Sequence, residues 1–134
     1  MNKLLALLLL SLMATSGWAY DKTDLKKFKA LKECVGCDLS GANFRSSNLI
    51  RANLEGANLS GANFGMTNLG SANLKNANLT GANLKRAKLK NANLTGANLT
   101  GANLSKAGVR DIPTLDEAIY CNTKMPWGVV DDDC

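Results

Sequence analysis

From Cys37 to Asp111 the apolar positions recur every five residues: Leu39, Phe44, Leu49 and each fifth residue through Leu104, with Val109 as a weaker last member. Two residues before each of these sits a small side chain, Ala in most pentads and Cys37, Ser47 or Thr67 in the others. The position between them is Asn from Asn43 to Asn103, with Asp38 at its start and Lys88 as an interruption. A period of five fits neither regular element. Five helical steps rotate the next Leu by about 140°, which scatters the set around the cylinder. On a straight strand an odd period throws successive Leu residues to opposite faces. The pattern therefore predicts a chain that bends once per pentad, with Ala and Leu inward, Asn outward and the next two residues turning a corner. Ser-Gly, Thr-Gly and Lys-Asn suit such corners because Gly and Asn tolerate turn dihedrals. Repeated bending in one sense makes a solenoid.

A longer period lies on top of the first. Leu39-Ser40-Gly41, Leu59-Ser60-Gly61, Leu79-Thr80-Gly81 and Leu99-Thr100-Gly101 are twenty residues apart, as are Phe44 and Phe64. Four pentads per coil would stack the first set into one face and place the two rings one above the other.

These residues resemble the pentapeptide-repeat family, whose motif is a small residue, Asp or Asn, Leu or Phe, and two variable positions; the match spans 75 of the 134 residues. The resemblance implies an all-β solenoid, a right-handed quadrilateral β-helix. Fifteen pentads at four per coil make 3.75 coils, a rod roughly 18 Å tall at the usual strand spacing.

The flanks are of another composition. Met1-Asn2-Lys3, the apolar run Leu4 to Met13 and the small residues around Trp18-Ala19 have the layout of a secretory signal over 1–19, too short for a comfortable membrane span. The expectation is an exported protein, periplasmic or extracellular, not membrane-spanning in its mature form and monomeric. Residues 20–36 follow as a cap. Leu25, Phe28 and Leu31 at three-residue spacing among Lys26, Lys27, Lys29 and Lys32 predict a short amphipathic helix over Thr23 to Glu33, begun by Asp21 or Thr23 and ended before Gly36. Its three apolar residues suit a plug over the open end of the rod better than a membrane anchor.

After the repeat, 37–111, the segment 112–134 closes the chain. Leu115 and Tyr120 are one residue out of register, which predicts a bulge near Ile112 and Pro113. Residues 113–122 read either as two further pentads, with Tyr120 inward, or as a short helix opened by a capping box of Thr114 and Glu117; the pentads are the preferred reading. The ending, from Cys121-Asn122-Thr123 through Met125-Pro126 to Cys134, resembles the closing segment of exported family members, a hairpin locked by Cys121 and Cys134. Trp127 at its tip is expected to pack on the end of the rod. Export makes disulfides the natural state of the four Cys. With one pair before the rod and one after it, the expected bonds are Cys34 with Cys37 and Cys121 with Cys134, since bonded Cys need Cα atoms within about 7 Å. The same separation argues against a zinc site, and Cys34-Val35-Gly36-Cys37 lacks the βαβ setting of a redox motif.

Charge is distributed unevenly. The stretch 37–111 has nine basic and three acidic residues, the segment 20–34 adds +2 and the residues after 111 contribute −4, within a chain of net charge +5. Arg45, Lys85, Arg86 and Lys106 fall on one face, and Arg51, Lys90 and Arg110 on the next, with Lys88 beside them. The expected role is an exported structural or interaction module that presents a rigid rod to an unidentified protein partner, with these as the candidate binding residues; the alternative is binding of the basic faces to an anionic polymer or membrane surface, and the competing reading of the same faces is a solvated surface that keeps the rod soluble. No aromatic residues interleave for nucleic-acid stacking. With no His, scattered acids and an inward set of Leu, Phe and Ala, catalysis is not expected, and neither is a cofactor or metal. The family's fluoroquinolone-resistance members resemble DNA and occupy gyrase; Asn where a mimic would profit from Asp, a basic rod and an export signal rank that role last.

Overall fold

The computed structural model describes residues 20–131 and 134, so the expected signal segment 1–19 lies outside the described residues. Parallel bridges join Asn43 to Asn63, Asn63 to Asn83 and Asn83 to Asn103, and the same twenty-residue step links Asn48, Asn68, Lys88 and Gly108. Two further columns run through Glu33, Asn53, Asn73 and Asn93, and through Asp38, Asn58, Asn78 and Asn98. Four pentads thus complete one coil. The bonds recur along the stack: Leu59 N–H donates to Asn78 O in the next coil at 2.8 Å, Asn78 N–H returns to Ala57 O at 2.9 Å, and Ala62 N–H closes the corner onto Leu59 O at 3.1 Å. Backbone demand is met between coils, which leaves side chains free to form the core.

The inward positions from Leu39 to Leu104 form one continuous column of buried Leu, Phe and Ala. Phe44 and Phe64 stack at 5.2 Å between centroids with planes 19° apart. A hydroxyl is admitted inside where a carbonyl can accept from it: Thr67 Oγ1 donates to Phe44 O at 2.6 Å, and Thr123 Oγ1 to Leu99 O at 2.7 Å.

The second corner residue of every pentad from Gly36 to Asp111 has positive φ. Gly fills the position at Gly96, where a Cβ would collide with Asn76 Oδ1. Ser46, Arg51, Met66, Ser71, Arg86 and Lys106 hold the same left-handed conformation without being Gly or Asn, so the ladder imposes the corner on whatever residue stands there. The Asn column has two tasks. Its Oδ1 atoms accept from the N–H two residues on, as in Arg45 N to Asn43 Oδ1 at 3.1 Å and Lys85 N to Asn83 Oδ1 at 3.0 Å. Its amides bond between coils, Asn73 Nδ2 to Asn53 Oδ1 and Asn83 Nδ2 to Asn63 Oδ1, both at 3.2 Å. Asn has both donor and acceptor for this; a stack of ionised Asp would face like charges roughly 4.8 Å apart.

Helix α1, Lys22–Leu31, covers the lower end. Asp21 is its cap, accepting from Thr23 N at 2.7 Å and Asp24 N at 3.1 Å. It stops short of Glu33, at Lys32 in the left-handed conformation (φ 52°), because Glu33 already pairs with Asn53 in the lowest coil. Phe28 is buried and meets Phe44 edge-on at 5.4 Å. Asp24 Oδ2 accepts from Asp38 N at 2.9 Å, and Asp21 N donates to Asp38 O at 3.0 Å, so the helix start satisfies an edge that no coil covers. Leu31, expected in the plug, is 63% exposed; Phe28 and the partly buried Leu25 do the covering.

At the upper end the register shifts by one residue, with Ile119 pairing to Asn98 and Lys124 to Asn103. The extra residue is absorbed in a short 3-10 turn, Leu115–Glu117, instead of a bulge at Ile112 and Pro113. Thr114 makes no side-chain cap there, so the capping box is not formed. Ala118-Ile119-Tyr120 then takes the small, outward and inward places of a pentad, with the Tyr120 hydroxyl donating to Leu115 O. Pro113 stands where a column residue would offer an N–H and has none. The Thr114 hydroxyl replaces the missing bonds: it donates to Ala92 O at 3.2 Å and accepts from Leu94 N at 2.9 Å. Thr114→Val leaves both partners unsatisfied and is expected to cost about 2–3 kcal/mol, while Thr114→Ser stays close to the parent; urea denaturation of the two variants measures the difference.

Strands β1, Thr123–Met125, and β2, Gly128–Val130, form the closing antiparallel hairpin. Cys121 and Cys134 are bonded across its base with Cα atoms 5.0 Å apart, and Cys34 and Cys37 are bonded at 5.2 Å.

Candidate functional site

Because the interior is uniform, chemistry is confined to the corner columns, where side chains twenty residues apart lie one coil above another. Six of the candidate cations gather at two depressions of the outer surface.

The first is a notch at Gly65. Its column runs Arg45, Gly65, Lys85, and the neighbouring column places Met66 below Arg86. With no side chain at Gly65, a notch of about 270 Å³ opens, lined by Arg45, Met66, Asn83, Lys85 and Arg86. Arg45 Cγ would lie 3.8 Å from a Cβ at that position, so its stem forms one wall.

The second is a groove of about 570 Å³ at the upper end, lined by Lys88, Lys90, Arg110, Pro126 and Trp127 together with the buried Leu89, Ala107 and Val109. Chain routing creates it. After β1 stacks on the strand of Asn103, Pro126 and Trp127 reverse the direction and β2 folds back on β1. Among the described residues, no segment is therefore laid over Ala107–Val109. Below this edge, Gly108 N donates to Ala87 O and Leu89 N to Gly108 O; above it, among the described residues, nothing accepts from Val109 N–H or donates to Ala107 C=O. Trp127 is 65% exposed, so the expected packing onto the rod gives way to a wall facing solvent. Composition alone could not reveal this, since it depends on which strand the hairpin joins.

The eight candidate cations thus divide. Arg45, Lys85 and Arg86 meet at the notch; Lys88, Lys90 and Arg110 meet at the groove; Arg51 and Lys106 line neither. The chain edge at Ala107 and Val109 and the glycine gaps escaped the charge pattern, although Gly65, Gly70 and Gly108 were legible as breaks in otherwise side-chain-bearing columns. The other cluster of chemical interest brings Asp24, Cys34 and Cys37 together. Both thiols there are committed to the disulfide, and Cys34 Sγ lies 3.6 Å from Asp24 O.

A stack of five-residue units bridged at twenty-residue intervals defines a β-helix built on pentads. The pentapeptide-repeats family model matches residues 37–76 and 67–105 in eight copies, and the chain belongs to that family. Membership implies the right-handed, four-sided coil, and pentapeptide-repeat proteins are generally structural or interaction modules. Among solved structures, the chain is similar to HetL, a protein involved in heterocyst differentiation regulation from the cyanobacterium Nostoc sp. strain PCC 7120, at 35% identity over 68% of this chain and 39% of HetL, with a TM-score of 0.53. A pentapeptide repeat protein from the Arabidopsis thaliana thylakoid lumen matches at 38% identity over 57% of this chain and 53% of that one, with a TM-score of 0.36. Another, from Nostoc, matches at 34% identity over 67% and 79%, with a TM-score of 0.41. The chain thus spans well under two thirds of the length of the first two. No curated protein sequence matches it.

Proposed function

We propose that the chain is an exported interaction module that presents a rigid faceted rod, and that its basic faces hold an acidic protein partner. The observation that supports this is the gathering of cations around the notch and the groove, on a scaffold whose inward positions are apolar and whose family consists generally of structural or interaction modules. Lys85, Arg86, Lys88 and Lys90 form no ion pair among the described residues, so their charge is available to a partner. The core contributes stiffness only and the corners contribute recognition; no step of catalysis and no cofactor enters this reading. A gyrase-occupying DNA mimic needs an acidic surface, against the net +6 of 37–111.

Changing Lys85, Arg86, Lys88 and Lys90 together to Gln is expected to weaken capture of acidic proteins from an exported fraction and to flatten its salt dependence, with stability within roughly 0.5 kcal/mol of the parent because corner side chains leave the core intact. Recovery of the same proteins by parent and variant, at low and high salt alike, would reduce the basic faces to solvated surface.

A further inference from the structure

We infer that the upper groove is a strand-addition site: an extended peptide bearing an acidic residue joins the edge Ala107–Val109 as one more strand of the β-helix. The inference deepens the preceding reading and rests on it, because it names the partner segment that the cations around the groove would hold. Three observations meet at this place.

The first is the unpaired edge. Elsewhere along the stack the Ala O and Leu N–H of a pentad are both satisfied from above, by the backbone of the column residue as Ala57 O and Leu59 N–H are by Asn78, or at Ala92 and Leu94 by the Thr114 hydroxyl. Ala107 O and Val109 N–H point the same way with no such residue above them among the described residues. A peptide residue placed over Gly108 would therefore make both bonds with its own N–H and C=O, the geometry of β-augmentation. Its two neighbours would point inward over Ala107 and Val109, against the apolar base formed with Leu89. The inward demand is the one the rod itself obeys: a small residue first, a larger apolar one two places later.

The second is charge. The residue over Gly108 points outward in the column of Asn48, Asn68 and Lys88. Gly108 has no side chain, which leaves room for Lys88, one coil below and in the same groove lining, to reach toward a carboxylate on the added strand. Lys90 and Arg110 line the same side and would face the residues that follow. One acid, Asp111, stands with these three cations in the lining, so charge complementarity selects an acidic segment over a neutral or basic one. The chain's own Asp131 is held elsewhere, its carboxylate accepting from Asn122 N at 2.8 Å.

The third is Trp127, a large and rigid apolar ring, 65% exposed, in the same groove lining as the cations. Such a ring adds contact area at little entropic cost, and its fluorescence reports occupancy.

The occupant is accordingly an extended segment of the form small–acidic–apolar followed by further acids. The test uses a fluorescently labelled acetyl-Glu-Ala-Asp-Leu-Asp-Glu-amide, a second peptide identical except for N-methylation of the Asp that follows Ala, and the disulfide-intact protein. The unmodified peptide is expected to bind with salt-sensitive affinity and to shift Trp127 emission. N-methylation removes the donor to Ala107 O and is expected to weaken binding by about tenfold or more at unchanged charge. The triple variant Lys88→Gln, Lys90→Gln, Arg110→Gln is expected to lose most of its affinity and its salt dependence, with a native melting curve. Equal binding of the methylated peptide overturns strand addition while leaving the basic-surface reading in place. Equal binding by parent and triple variant overturns both. A sulfated oligosaccharide that displaces the peptide, combined with indifference to methylation, would assign the groove to polyanions and would likewise overturn the inference.

Discussion

Leu79→Asp is expected to abolish the fold of the whole rod. Leu79 is fully buried in the inward column between Leu59 and Leu99, one coil below and one above, and neighbouring coils share this single narrow core. A carboxylate there meets no donor: the backbone N–H groups around it are spent on the ladder, with Leu79 N itself bonded to Asn98 O at 2.8 Å. Leu79→Ala should cost about 2–5 kcal/mol through lost contacts and the cavity left behind. The Asp variant adds a buried carboxyl without a partner, about 2–7 kcal/mol even when it takes up a proton, and the sum is comparable with the 5–15 kcal/mol by which domains are typically stable. Local escape is not available either, because freeing one pentad breaks the bonds it makes to the coils on both sides. Circular dichroism should show the β signal lost in the Asp variant and kept, with a lower melting temperature, in the Ala variant. A native spectrum and unchanged melting for Leu79→Asp would mean that Leu79 does not face a shared core.

The repeat was legible because two periods, five and twenty, coincide on the same residues: only a chain that bends every pentad and closes every fourth can use both. Phe44 over Phe64 follows from the twenty alone. The ends were less legible, since there a residue's role depends on what happens to lie beside it. Cys34 reads as part of a cap, yet it occupies an inward place in the lowest coil, with its N–H on Asn53 O at 2.8 Å. Lys32 ends α1 in a conformation for which Gly36 was the obvious sequence signal. Pro113 and Thr114 read as the start of a further pentad or, as the alternative, of a short helix; only the neighbouring coil shows that the hydroxyl replaces an N–H that proline lacks. Among the site residues, the sequence identified the cations and their faces, but not the edge at Ala107 and Val109, because that edge is exposed by the hairpin turning back at Trp127.

The two disulfides should contribute unequally, in spite of their similar Cα separations. Cys121 and Cys134, thirteen residues apart, close a loop that holds β2 against β1, and β1 supplies the top of the core through buried Thr123 and Met125. Releasing a loop of this length should cost about 3 kcal/mol, and the loss should appear first at the upper end. In the Cys121→Ala, Cys134→Ala variant, amide exchange is expected to accelerate at Leu99 and Leu104, whose N–H groups bond to Ile119 O and Lys124 O, before it does at Leu39. Cys34 and Cys37, three residues apart, close a loop worth only about 2 kcal/mol by the same relation. They also occupy the large and small inward places that Leu and Ala hold elsewhere in the rod. Cys34→Leu with Cys37→Ala therefore restores the repeat's own pair and recovers apolar contact in exchange for the bond, so its melting temperature should fall less than that of the Cys121, Cys134 variant. Melting of the parent and both variants under one oxidising buffer decides it. An equal or larger drop for the Cys34, Cys37 variant would show that the lower bond holds α1 onto the rod and that loop length is not what ranks the two.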